Sequence, residues 1–183
     1  PMDKLLPGVE SAVAALDAAG GDSAAAAIMT TDTVPKTAVA EGEGWVVGGM
    51  AKGAGMLAPG LATMLCVLTT DAVVSAGDAD AALRAATGRT FDRVDSDGCM
   101  STNDQVTVLA SGASDVVPEA GEFATALSAV CDSLAAQLQA GQAVFRPGRA
   151  DDAPCLAGVE DHFAAVDVAL QLYAVYALPG CAA

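Results

Sequence analysis

The sequence predicts a single layered α/β domain in which strands and helices alternate and one strongly apolar strand lies at the centre. Three observations carry this reading. The runs "GWVVGGM" (44–50), "ATMLCVLTTD" (62–71) and "QVTVLASG" (105–112) have the length and bounding residues of strands. The segment "PEAGEFATALSAVCDSLAAQLQA" (118–140) places Phe123, Leu127, Val130, Leu134 and Leu138 on one helical face. The interleaving of these two patterns favours helices packed on a sheet, and 183 residues suffice for a sizeable core.

Taken in order, "PGVESAVAALDAAGG" (7–21) has Val9, Val13 and Leu16 at helical spacing, Pro7 near the start and Gly20-Gly21 as a stop. "AIMTTDT" (27–33) reads as a short strand ending in hydroxyls and closed by Pro35. The strand at 44–50 carries glycines that admit a neighbouring backbone. The strand at 62–71 is apolar on both faces, which places it inside the sheet. "DADAALRAAT" (78–87) is a short helix with Asp78 as its expected N-cap. The strand at 105–112 and the helix at 118–140 follow. After Ala140 the character changes to "GQAVFRPGRADDAPCLAG" (141–158) and then to the apolar stretch "FAAVDVALQLYAVYAL" (163–178).

Composition excludes several classes of function. The net charge of −15, from 23 acidic and 8 basic residues, cannot neutralise a phosphate track, so no nucleic-acid partner is expected. The longest apolar stretch, 163–178, is too short for a membrane span and contains Asp167. No basic leader with a cleavage site is read at the start. Five scattered cysteines without a C-x-x-C pair suit reduced, buried thiols and a cytoplasmic location. A lone histidine, His162, makes a histidine-based metal centre or a His-activated nucleophile a poor fit.

The chemistry centres on Thr63. The stretch "GAGMLAPGLATML" (53–65) places Gly53, Gly55, Pro59 and Gly60 before one hydroxyl at the mouth of an apolar strand. These residues permit backbone conformations that an ordinary strand entry does not need. Ala62 leaves the preceding peptide bond sterically open. The scarcity of histidine has a known remedy, which is to make the nucleophile an N-terminus. Cleavage between Ala62 and Thr63 would give Thr63 its own base, an α-amine of pKa about 7.7–8. A β-branched strand residue is the alternative reading of the same threonine.

"KGAGMLAPGLATML" (52–65), "AIMTTDT" (27–33), "GGMAKG" (48–53) and "DSDGCMSTND" (95–104) together resemble the bifunctional ornithine acetyltransferase / N-acetylglutamate synthase family of arginine biosynthesis. "PMDKLL" at the start and "MLCVLTTDA" agree, and the resemblance covers about residues 1–140. It implies the layered α+β sandwich of that family, with the nucleophile on a central strand. It implies self-cleavage into an α part, 1–62, and a β part beginning at Thr63, with 63–140 its matched portion and 141–183 an unmatched tail.

Thr63 is then the catalytic nucleophile, acetylated in turn, and Ala62 ends the α chain. Lys52 and Thr30 match substrate-binding positions, with Thr63 itself a third. Thr31 and Asp32 read as a strand-end turn, and Ser101, Thr102, Asn103 and Asp104 as a loop-ordering block rather than catalytic residues. The implied reaction is transfer of acetyl from N-acetylornithine, and in some members from acetyl-CoA, to glutamate. No cofactor or metal is implied. The implied partners are the small-molecule substrates and an assembly of two α and two β chains.

The chain also departs from the family pattern. Gly60 stands where many members have asparagine. The family's oxyanion-hole Thr-Gly pair has no counterpart, and "GQAV" (141–144) lacks the expected substrate-binding glutamate. The C-terminal Asn and Thr of the family site are not found either. The sequence therefore also predicts an incomplete member, an inactive fragment whose only role is association with other chains. An N-terminal-nucleophile amidase or aminopeptidase, releasing its acyl group to water, is the further alternative.

Overall fold

The computed structural model describes residues 2–53, 64–94 and 104–143 of the 183. Ala62, Thr63, Gly60, Ser101, Thr102, Asn103, His162 and the stretch 163–178 lie outside them. The elements are α1 (Met2–Ala14), α2 (Gly21–Ala27), β1 (Lys36–Gly42), β2 (Trp45–Lys52), β3 (Leu65–Thr70), α3 (Ala76–Thr87), a single 3-10 turn (Phe91–Arg93), β4 (Gln105–Ala110) and α4 (Ala120–Ala143).

The four strands form one mixed sheet in the order β1-β2-β3-β4. The first two pairs are antiparallel and β3 runs parallel to β4. A parallel pair needs a crossover, and α3 with the 3-10 turn supplies it. The β1–β2 hairpin closes through Glu43-Gly44, where Gly44 takes a φ of 80° that a side chain would resist. The mixed α/β class expected from the sequence is therefore observed.

Strand alternation sorts the side chains onto two faces. Trp45, Val47, Ala51, Cys66 and Leu68 point to one face and are buried beneath the apolar stripe of α4, Phe123, Leu127, Val130, Leu134 and Leu138. The opposite face is covered over a smaller area, where Ala24 and Ala25 of α2 pack on Met50, with Ile28 and Val67 beside them. Gln137 ties the α4 layer to the sheet edge: its amide group exchanges two hydrogen bonds with the backbone of Thr37, at 3.2 and 2.9 Å. Such bonds satisfy groups that an edge strand would otherwise leave open.

Cys66 and Cys131 are buried and not disulfide-bonded. Burial, with the field of Asp132, pushes the Cys131 thiol up to about 11; burial and the neighbouring Cys131 push Cys66 higher still. Both are core residues and poor nucleophiles.

Three local expectations need correction. The segment 27–33 is not a strand: α2 ends at Ala27 and the chain then turns through Thr30, Thr31 and Asp32 before entering β1. The Asp32 carboxylate accepts the Thr30 N–H at 3.2 Å, a local turn bond that wins over β-propensity. The helix expected at 7–21 begins at Met2 and ends at Ala14, with Pro7 inside it. Finally, Ser75 rather than Asp78 caps α3. Ser75 Oγ accepts from the Asp78 N–H at 3.1 Å and donates to the Asp78 carboxylate at 2.6 Å, so the hydroxyl caps the helix and the carboxylate holds the hydroxyl in place.

Candidate active site

The site is built where three chain segments meet at one end of the sheet. β2 ends on Lys52, with Gly53 next, β3 begins just after Met64, and β4 begins just after Asp104. The sheet register sets Lys52 opposite Leu65 and Leu65 opposite Gln105, so these strand ends are neighbours. β3 is an interior strand, as the sequence suggested, and Thr63 is joined to it through Met64.

Two carboxylates organise the junction. Asp104 Oδ1 accepts the Met64 N–H at 2.8 Å, and the Gln105 N–H donates to the Met64 carbonyl at 3.0 Å. Asp32 Oδ1 accepts the Gly53 N–H at 2.8 Å, and Asp32 Oδ2 accepts the Thr30 N–H at 3.2 Å. The segment between Gly53 and Met64 is therefore held at both ends by acceptors from elsewhere in the chain. Lys36 forms a buried ion pair with Asp32, with side-chain exposures of 1% and 0%. Burial pushes the Asp32 carboxyl up, but the Lys36 ammonium and the N–H groups of Gly53 and Thr30 outweigh it and hold it below the ordinary carboxylate value.

Lys52 is only 8% exposed. Burial pushes its ammonium below the usual lysine value, and the fields of Asp32 and Asp104 restore part of that loss. Among the described residues the ion pairs are Lys36–Asp32 and Arg84–Asp80, so none of the described carboxylates is bonded to the buried Lys52. A buried ammonium in that state is a ready partner for an anionic group.

Of the residues singled out from sequence, Thr30 and Lys52 are thus brought to the same carboxylate, and Asp104 lies at the other end of the junction. Sequence reading missed Lys36 altogether. The signal available was its i,i+4 spacing from Asp32 across Pro35, in "DTVPK" (32–36). It also took Asp104 only as part of a loop block, although its oxygen holds the peptide that follows Thr63.

Fold and site together define a mixed α/β protein whose polar centre, at the mouth of an interior strand, sets the buried Lys52 in the field of two backbone-clamping carboxylates, Asp32 and Asp104. The profile of the ArgJ family matches residues 1–142, and the chain belongs to that family. The arginine biosynthesis bifunctional protein ArgJ of Streptomyces avermitilis is 70% identical over 138 residues, covering 75% of this chain and 36% of the relative. The protein of the same name from Mycobacterium leprae is 61% identical over 143 residues, covering 76% of this chain and 35% of the relative. That from Thermobifida fusca is 59% identical over 140 residues, covering 76% and 37%. The chain thus spans a little over a third of the length of these relatives. No helix among the described residues is long and apolar enough to cross a membrane, and none of their His, Cys, Asp and Glu residues group to hold a metal ion.

Proposed function

We propose that this chain forms part of a glutamate N-acetyltransferase of arginine biosynthesis, acting in the cytoplasm with Thr63 as its nucleophile. The observation that carries the reading is the meeting of Thr30, Lys52 and the β3 entry around Asp32 and Asp104, in a chain of the ArgJ family. In maturation, Thr63 Oγ attacks the Ala62 carbonyl and the peptide nitrogen takes up the proton. Water then hydrolyses the resulting ester, leaving the Ala62 carboxylate and a free Thr63 amine. Residues 1–62 become the α part and those from Thr63 onward the β part, in an assembly of two of each with the layered sandwich of the family.

In the first half-reaction the Thr63 amine accepts the hydroxyl proton as Oγ attacks the acetyl carbonyl of N-acetylornithine. The amide C–N bond breaks, ornithine leaves with that proton, and the acetyl group remains as an ester on Thr63. Glutamate's amine then attacks the ester, and the proton returns to Oγ. Lys52 pairs with the substrate carboxylate, and Thr30 supplies a second contact. The acetyl donor carries its own leaving group, so the scheme uses no cofactor.

Acetyl capture tests this. The chain, extended to family length with the flanking segments of a relative, is incubated with N-acetylornithine and no acceptor. One acetyl group on the piece beginning at Thr63, discharged by glutamate, is expected. Loss of the label to water at the same rate without glutamate would instead make the protein an amidase.

A further inference from the structure

Asp32 does more than a turn at a strand entry requires. A turn of this kind is served by one side-chain acceptor on a nearby N–H, which the Thr30 bond already provides. Asp32 spends its other oxygen on Gly53, 21 positions away, and on a lysine buried with it. Burying two charges costs desolvation energy that a solvated turn would avoid. The two peptides so held belong to Thr30 itself and to the bond that follows Lys52. One rigid carboxylate therefore sets the spacing between the two groups read above as substrate contacts. The two lysines near it are also treated differently: Lys36 is bonded to the carboxylate, whereas Lys52 is reached only by its field.

We propose that Asp32 is the positioning residue of the substrate site: its two oxygens fix Thr30 against Lys52, and Lys36 takes up its charge so that the Lys52 ammonium stays available to an amino-acid carboxylate. The proposal rests on the reading of Thr30 and Lys52 as substrate contacts. Without Lys36, the carboxylate would draw Lys52 to itself and compete with the substrate. Lys36 thus acts on affinity through Asp32, at a site where it touches no ligand.

The test is the affinity for N-acetylornithine of the family-length protein, measured by calorimetry for four forms: wild type, Lys52→Met, Lys36→Met and the double variant Asp32→Asn/Lys36→Met. The double variant removes both charges of the pair at once, leaves no Lys36 ammonium stranded, and keeps one acceptor oxygen where two are needed. Lys36→Met and the double variant are each expected to weaken binding about tenfold, the equilibrium value of one hydrogen bond to a charged group. Amide exchange at Thr30 or Gly53 should quicken in the double variant, while the Leu134 amide in α4 stays protected. Weakened binding by Lys52→Met, with wild-type affinity in folded Lys36→Met and double variants, would overturn the proposal alone. Wild-type affinity in Lys52→Met would overturn the substrate-contact reading beneath it.

Discussion

The Met64 N–H donates to Asp104 Oδ1 at 2.8 Å, so a carboxylate 40 positions along the chain holds the peptide unit that begins at Thr63. The Gln105 N–H, donating to the Met64 carbonyl at 3.0 Å, holds the next unit as well. The nucleophile read from sequence is therefore attached to a backbone pinned from β4.

Asp104 should accordingly affect the rate of cleavage at Ala62–Thr63 through its acceptor oxygen. Asp104→Asn keeps an oxygen for the Met64 N–H and should cleave near the wild-type rate. Asp104→Ala removes it and should slow cleavage by about 10²-fold, the usual consequence of misplacing a reacting group by an ångström. Intact-mass time courses give both rates. Equal slowing in the two variants would assign the effect to charge instead.

Lys52→Met should leave the fold intact while weakening substrate binding. Its folded pKa lies below the ordinary value of 10.5, so the unfolded chain binds the Lys52 proton more tightly. Wild-type stability should then rise as pH increases toward 10.5, and the variant should lack that rise. Thermal melts across the alkaline range measure it. A variant that melts well below wild type at neutral pH would show Lys52 to be structural.

The Asp32 carboxyl is shifted the other way. Its folded pKa lies below 3.8, so its stabilisation is present above that pH and is lost as pH falls through the folded value. Asp32→Asn/Lys36→Met should flatten this acid limb in a urea-unfolding series, whereas Asp32→Asn alone strands the Lys36 ammonium and should cost about 3–5 kcal/mol at neutral pH. An unchanged acid limb in the double variant would contradict the assignment.

At Gly49 side chains of α4 and β3 occupy the space a side chain would need. A Cβ there would lie 2.6 Å from Leu68 Cδ2, 3.1 Å from Leu134 Cδ1 and 3.2 Å from Val130 Cγ1. Gly49→Ala should destabilise by about 1–3 kcal/mol through overpacking, as chemical denaturation would reveal. No loss would mean that the layers sit further apart.

How far the sequence anticipated this arrangement depends on the kind of signal each part carries. The stripe from Phe123 to Leu138 and the alternation in β2, β3 and β4 are periodic, and periodicity survives without knowledge of partners. β1 has only Val39 and small or polar neighbours, with Val39 facing solvent, so its pattern is weak; its pairing with β2 makes it a strand. The turn after α2 was misread because Ile28, Met29 and the threonines favour strands locally, whereas Asp32 is satisfied from 21 positions away. The same distance hid the clamp. Thr30 and Lys52 could be singled out from motifs, but nothing local in Asp32, Lys36 or Asp104 says which backbone each will meet.

Whether Thr63 becomes an N-terminal nucleophile is read from the intact mass of the purified native chain. Two pieces that meet between Ala62 and Thr63 are expected, and one uncut chain for Thr63→Ala. A wild-type chain that stays whole under native conditions would contradict that role for Thr63.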